Sequence, residues 1–229
     1  MEGEIEGELT WVLAALAEVQ ARLQRVLEGR IVAPPPVEPP VEPPVEPVQF
    51  PVYSQRDPRW QGDQLGPDRG GGTIGGAGCA VTCAAMVATA AGCQVTPGEL
   101  NRWLCENAGF TGAPRNLLNW EKMAAFCPVL EWRGKRVWRE GPADMEMVRR
   151  ELEWGPVIAE VDFDYTDRDV DQHFVVLLEM EGDDEAEIAD PWDGMRVGLV
   201  ERYFNPEWAA PDGKVARVIT GLRLLVAKC

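Results

Sequence analysis

Histidine is almost absent from this chain of 229 residues, where His173 is the single instance. Any chemistry that needs an imidazole must pass through that residue, and multi-histidine metal sites are excluded. A basic stretch followed by an apolar one is missing from the start, Met1-Glu2-Gly3-Glu4-Ile5-Glu6, which argues against a secretory leader and for cytoplasmic synthesis. No apolar run approaches the roughly 20 residues that cross a bilayer, so no membrane span is expected. Positive charge is also scarce. Acidic residues outnumber basic ones by 38 to 22, for a formal charge of −16, and such a surface repels phosphate backbones and anionic headgroups. Neither nucleic acid nor a membrane is an expected partner.

Six cysteines are present, at 79, 83, 93, 105, 127 and 229. With no leader, reduced thiols are the expectation for all of them. Only Cys79 and Cys83 are close in sequence, and His173 is far from both, so neither a metal nor another cofactor is expected.

Two abrupt changes of composition divide the chain into residues 1–33, 34–47 and 48–229. In the first part Ile5, Leu9, Val12, Leu16, Val19, Leu23 and Val26 recur at alternating steps of four and three, the seam of a heptad helix. Leu falls at the a positions and Ile or Val at d, which favours more than two strands, and Leu13 and Leu27 at e widen the apolar stripe. Residues 5–27 are therefore expected to join copies of the chain in a homo-oligomer or to dock on a larger assembly. Residues 34–47 read PPPVEPPVEPPVEP and hold eight of the 19 prolines. Such a repeat forms neither helix interior nor sheet and predicts a polyproline II spacer, about 40 Å long at ~3.1 Å per residue.

In the remaining part, a Gly-rich stretch from Gly62 to Gly78 runs into small apolar residues from Ala80 to Val87 that suit a buried helix. Thr96-Pro97-Gly98-Glu99 carries a cap, a first-turn proline and a capping-box glutamate. Asn116 is placed to cap a third helix, and Pro142-Ala143-Asp144 opens a fourth that stops near Gly155. The period then changes to two. Strands are predicted over 157–161, 173–180 and 185–188, the middle one apolar on both faces and so central, with shorter ones in 196–199 and 215–225. Helices first and sheet second make an α+β domain.

Cysteine is a useful nucleophile when its thiolate is favoured, and the first turn of a helix favours it. Cys79 stands at such a junction, after glycines 75, 76 and 78, which allow a tight turn and close approach of a substrate. Cys83, one turn on, points into helix packing, while Cys93, Cys105 and Cys127 read as core. Taken singly, Cys79 is most often a small buried hydrophobe in such a place. His173 opens an apolar strand, and Asp190 ends the next, just before Pro191-Trp192. Antiparallel pairing would set that carboxylate beside His173 to fix its tautomer. Asp171 and Asp193 are the rival carboxylates.

Taken together, Tyr53-Ser54-Gln55-Arg56-Asp57-Pro58-Arg59-Trp60, Leu65-Gly66, Thr73-Ile74-Gly75-Gly76-Ala77-Gly78-Cys79-Ala80-Val81-Thr82, His173-Phe174-Val175-Val176 and Asp190-Pro191-Trp192 form a recognisable order. The set resembles the papain-like cysteine peptidases of the double-glycine leader type (peptidase family C thirty-nine), in their stand-alone branch, over roughly residues 50–195. The resemblance implies a papain-like fold, with Cys79 as nucleophile, His173 as general base and acid, Asp190 orienting it and Gln55 donating to the oxyanion. Departures fall at Cys83, where serine is common, and at Gln172, where glycine often precedes the histidine.

The implied activity is hydrolysis of a peptide or isopeptide amide, on a peptide or protein substrate, by an enzyme tethered through its heptad helix to an oligomer or a larger particle such as a virion. Two other classes use the same residues: a thiol amidase or acyltransferase on cell-wall peptides, as in CHAP-type lysins, and a structural module that only binds, to which nine Trp would contribute.

Overall fold

The structure, a computed structural model, describes residues 2–28, 49–138, 141–163, 172–207 and 210–228. The chain divides into two units at Val48. In the first, helix α1 runs from Glu2 to Leu27. Leu13, Leu16, Val19, Leu23, Val26 and Leu27 are all more than half exposed along it, and Arg22 pairs with Glu18 one turn back at 3.1 Å. The proline-rich repeat lies outside the described residues.

The second unit is an α+β domain built on a six-stranded antiparallel sheet. Its first helices are α2 (Ile74–Ala77), α3 (Cys79–Ala90) and α4 (Pro97–Glu106). The capping box of α4 is formed as its sequence predicts: Thr96 Oγ1 accepts from the Glu99 N–H at 3.3 Å, and the Glu99 carboxylate accepts from the Thr96 N–H at 2.9 Å. A two-stranded ribbon, β1 (Phe110–Thr111) with β2 (Leu117–Leu118), precedes a 3-10 turn over Trp120–Lys122 and the short α5 (Met123–Phe126). Here the sequence-based cap at Asn116 is corrected. Asn116 donates its amide to Gly71 O at 3.1 Å, and Asn119 caps the turn by accepting from Glu121 N–H at 3.3 Å.

The large sheet comprises β3 (Leu130–Val137), β4 (Val157–Asp162), β5 (Gln172–Met180), β6 (Ala186–Asp190), β7 (Met195–Gly198) and β8 (Ile219–Ala227), in the order β3-β8-β4-β5-β6-β7. The helices α6 (Met145–Leu152), α7 (Leu199–Tyr203) and α8 (Lys214–Val218) complete the unit. β5 is interior, and its alternation explains why it reads as continuously apolar. Phe174 and Val176 join the core that holds α3, while Val175 and Leu177 join the core that holds residues of α6, α7 and α8. Burial on both faces makes the stretch from Phe174 to Leu177 wholly apolar.

Two stretches depart from the sequence reading. β3 is not among the predicted strands: it alternates only from Leu130 to Lys135, carries Arg133, Lys135 and Arg136, and breaks register between Trp132 and Lys135. Residues 214–218 form a helical turn, and the last strand starts only at Ile219.

The expectation of reduced thiols is corrected at one pair: Cys93 and Cys127 are joined in a disulfide, with Cα atoms 5.9 Å apart. Gly92, at φ 93°, turns the chain sharply after α3, and Cys127 closes α5. Both sulfurs thus meet in the core beside α3, a meeting that a sequence separation of 34 does not announce. Cys79, Cys83 and Cys105 are free. Closing a loop of that length removes about 3 to 4 kcal/mol of unfolded-state freedom. The Cys93→Ser/Cys127→Ser variant, and the wild type in reductant, should each lose about that much in equilibrium denaturation. Identical midpoints with and without reductant would show that the sulfurs are not bonded.

Candidate active site

Cys79 is the first residue of α3, and the short α2 immediately before it fixes where that helix begins. Thr73 caps α2 by accepting from the Gly76 N–H at 3.2 Å. The glycines act through space rather than through unusual backbone angles. A Cβ on Gly78 would lie 2.5 Å from Ile74 O, and one on Gly75 would lie 2.8 Å from Gln61 O. Gly76 instead borders a cleft of about 610 Å³, and Cys79 lines the same cleft.

His173 and Gln55 reach that cleft from other parts of the chain. His173, 4% exposed, lies near the start of β5 and faces Asp190, the last residue of β6, with Nε2 3.1 Å from Oδ1. With Nε2 donating to the carboxylate, Nδ1 is the nitrogen left for the cleft that Cys79 also lines. Phe163 packs edge-on to the imidazole at 5.1 Å, and Tyr203 lies 5.9 Å away, ring to ring.

Asp190 is wholly buried and its carboxylate is saturated. Oδ1 accepts from His173 and from the Trp192 N–H at 2.9 Å, and Oδ2 accepts from Arg202 at 2.6 Å and the Tyr203 hydroxyl at 2.7 Å. Asp193, one of the rival carboxylates, serves Arg202 instead, through contacts of 3.1 and 2.8 Å. The other rival, Asp171, lies outside the described residues.

Gln55 is 1% exposed and donates one Nε2 proton to Gly75 O at 3.1 Å. Its second amide proton remains for an oxygen in the cleft that Gln55 lines. Its backbone N–H donates to Pro191 O at 2.6 Å, and Arg56 lies 3.4 Å over the Trp192 ring. The segment that supplies the amide is therefore fastened to the turn that follows Asp190. Cys83 does turn into the core: it is fully buried, donates to Phe174 O at 3.3 Å, and is held protonated by burial first and by the charges of Cys79 and Asp190 next.

Burial is the largest single influence on both members of the His173–Asp190 pair, and it opposes charge on each. On the histidine it is outweighed by the hydrogen bonds to Asp190 and Cys79 and by their charges, which raise the imidazole from 6.5 to about 9. On the aspartate it is outweighed by His173, Tyr203 and Arg202, which lower the carboxyl from 3.8 to about 2. Tyr203 is itself raised well above its ordinary value by burial and by Asp190, so it stays a donor.

Of the four residues singled out in the sequence, Gln55, Cys79 and His173 line this cleft, and Asp190 lies behind it, bonded to His173. Arg202, Tyr203 and Phe163 escaped the sequence reading. Arg202 and Tyr203 sit in the short α7, where no spacing relates them to Asp190. No protein-family model matches the chain, and no curated protein sequence matches it either.

The lone histidine makes its ionisation directly readable. Labelled at the imidazole, the protein should give one titrating signal with a midpoint near 9, and Asp190→Asn should lower it. A wild-type midpoint at or below 6.5 would contradict the arrangement. Stability follows with determinate sign. The histidine's contribution is full below 6.5 and lost as pH rises through about 9. The aspartate's is full above 3.8 and lost as pH falls through about 2. Resistance to denaturant should therefore be greatest between 3.8 and 6.5.

Proposed function

We propose that residues 49–229 form a papain-like cysteine peptidase, akin to the double-glycine leader peptidases, that hydrolyses a peptide or isopeptide amide. What carries this reading is the convergence of Cys79, His173 and Gln55 on one cleft from separate places in the sequence, with buried Asp190 bonded to His173 behind it. The Cys79 sulfur attacks the scissile carbonyl while the free amide proton of Gln55 receives the developing oxyanion. The bond from carbon to nitrogen breaks as imidazolium His173 protonates the leaving amine, leaving an acyl group on sulfur. Neutral His173 then takes a proton from water, whose oxygen attacks the thioester; the acid leaves with the sulfur released as thiolate, which restores the starting pair with imidazolium His173. Asp190 holds the ring and compensates its charge through both half-reactions.

A thiol-directed electrophile should label Cys79 in the wild type, and Cys79→Ala should abolish labelling at the site. His173→Ala should slow labelling by about a hundredfold or more, the range for loss of a general base. Mass mapping that places the label on Cys83 would overturn the assignment. Labelling of Cys79 with no cleavage in a peptide library would favour an amidase or acyltransferase on the same thiol.

For the first unit we propose that α1 joins several copies of the chain. The exposed residues Leu16, Val19, Leu23 and Val26 continue the a and d pattern of the sequence, with Leu at a and Val at d. Light scattering on the full chain should give a mass of three or more copies at micromolar concentration, reduced to one copy by Leu16→Glu/Leu23→Glu. A monomeric wild type would refute self-association and leave docking on a larger assembly.

A further inference from the structure

The cleft is charged opposite to its protein. In a chain with 38 acids and 22 Lys and Arg residues, the described lining contains Lys135 and Arg223 and no carboxylate side chain. Of these two cations Arg223 is already occupied: it is buried, paired with Glu160, bonded to Leu222 O at 3.1 Å and placed 5.0 Å from the Phe174 ring centroid. Gly221 leaves room for that pair, since a Cβ there would lie 3.2 Å from Glu160 Oε2. Lys135 is exposed and has no ion-pair partner among the described residues. It stands directly opposite Arg223 in the β3–β8 register. Like charges facing each other across an antiparallel pair weaken the sheet; Glu160 compensates Arg223, and Lys135 is the cation left for an anion in the cleft.

We propose that Lys135 binds an acidic side chain of the substrate, making the cleft selective for Glu or Asp at one position. The inference deepens the peptidase reading and rests on it. β3 lies three strand spacings from β5, about 14 Å from the strand that carries His173. With the reach of a lysine, the acidic residue falls roughly two to four residues from the scissile bond of an extended chain. The aspartates at 164, 167, 169 and 171 lie outside the described residues. A cleft carrying one sign of charge between low-dielectric walls also draws an oppositely charged ligand from solution.

The test uses full-length protein and peptides ending in a thiol-reactive group, with Glu, Gln or Lys placed in turn at each of several positions. At one position the Glu probe should label Cys79 about fivefold faster than the Gln probe, as for a solvent-accessible ion pair. The ratio should fall toward one in Lys135→Gln and in high salt, and Lys135→Glu should reverse the preference toward the Lys probe. In the Cys79→Ala protein, the matching unreactive peptides should show the same order of affinity by fluorescence anisotropy. Equal labelling of Cys79 by all probes would overturn the acidic preference while leaving the peptidase reading intact. A preference that survives Lys135→Gln would overturn the role of Lys135. An acidic preference in binding to Cys79→Ala, without labelling of Cys79 in the wild type, would instead sink the peptidase reading.

Discussion

Everything at the site depends on keeping one carboxylate ionised where water does not reach. Asp190 is fully buried at the end of β6, a position that by itself would favour the neutral acid. The fold answers with donors from three directions: the imidazole from β5, the guanidinium and phenol from α7, and the N–H of the turn at Trp192. Removing a donor leaves an under-satisfied charge in a dry place, a larger loss than the bond itself. The same saturation leaves the carboxylate no freedom to rotate away from His173. That is why the ring keeps one nitrogen toward the acid and leaves the other for the cleft.

The remaining geometry follows from how helix and sheet are fastened. Cys79 belongs to a helix on one face of the sheet, and His173 belongs to a strand, so small slippage between them would part the two residues that line the cleft. Slippage is resisted at two levels. Ala84, Ala85 and Ala88 are fully buried along α3, bringing the helix close to β5, and close-packed interiors resist displacement. The segment bearing Gln55 bonds to Gly75 before Cys79 and to Pro191 after Asp190. It thus straps the two sides of the cleft together while supplying a donor to it.

Much of this was legible in the sequence, and the reasons are local. The capping box at Thr96, the cap at Asp144 and the two-faced apolar run of β5 are patterns that a few neighbouring residues complete. Cys79 and His173 stood out because a helix start and a strand start each have a signature, and because there was only one histidine. What escaped depends on distant meetings. Arg202 and Tyr203 reach Asp190 only because α7 folds back over β6 and β7. The Cys93–Cys127 bond joins two segments whose separate contexts read as ordinary core. β3 was missed for the opposite reason: its middle is polar and out of register, so its membership of the sheet is set by β8 rather than by its own residues.

That polar middle has a bearing on solubility. β3 is the edge of a six-stranded sheet, and an open edge offers unpaired N–H and C=O groups to any other strand it meets. Arg133, Lys135 and Arg136, with the register break beside them, place positive charge and an irregular backbone along this border. Two such borders brought together would set these cations against one another. The opposite border, β7, is only four residues long and carries Arg196. A chain with a net charge of −16 thus spends some of its few cations at the margins of its sheet, so that sheets of neighbouring molecules do not zip into one.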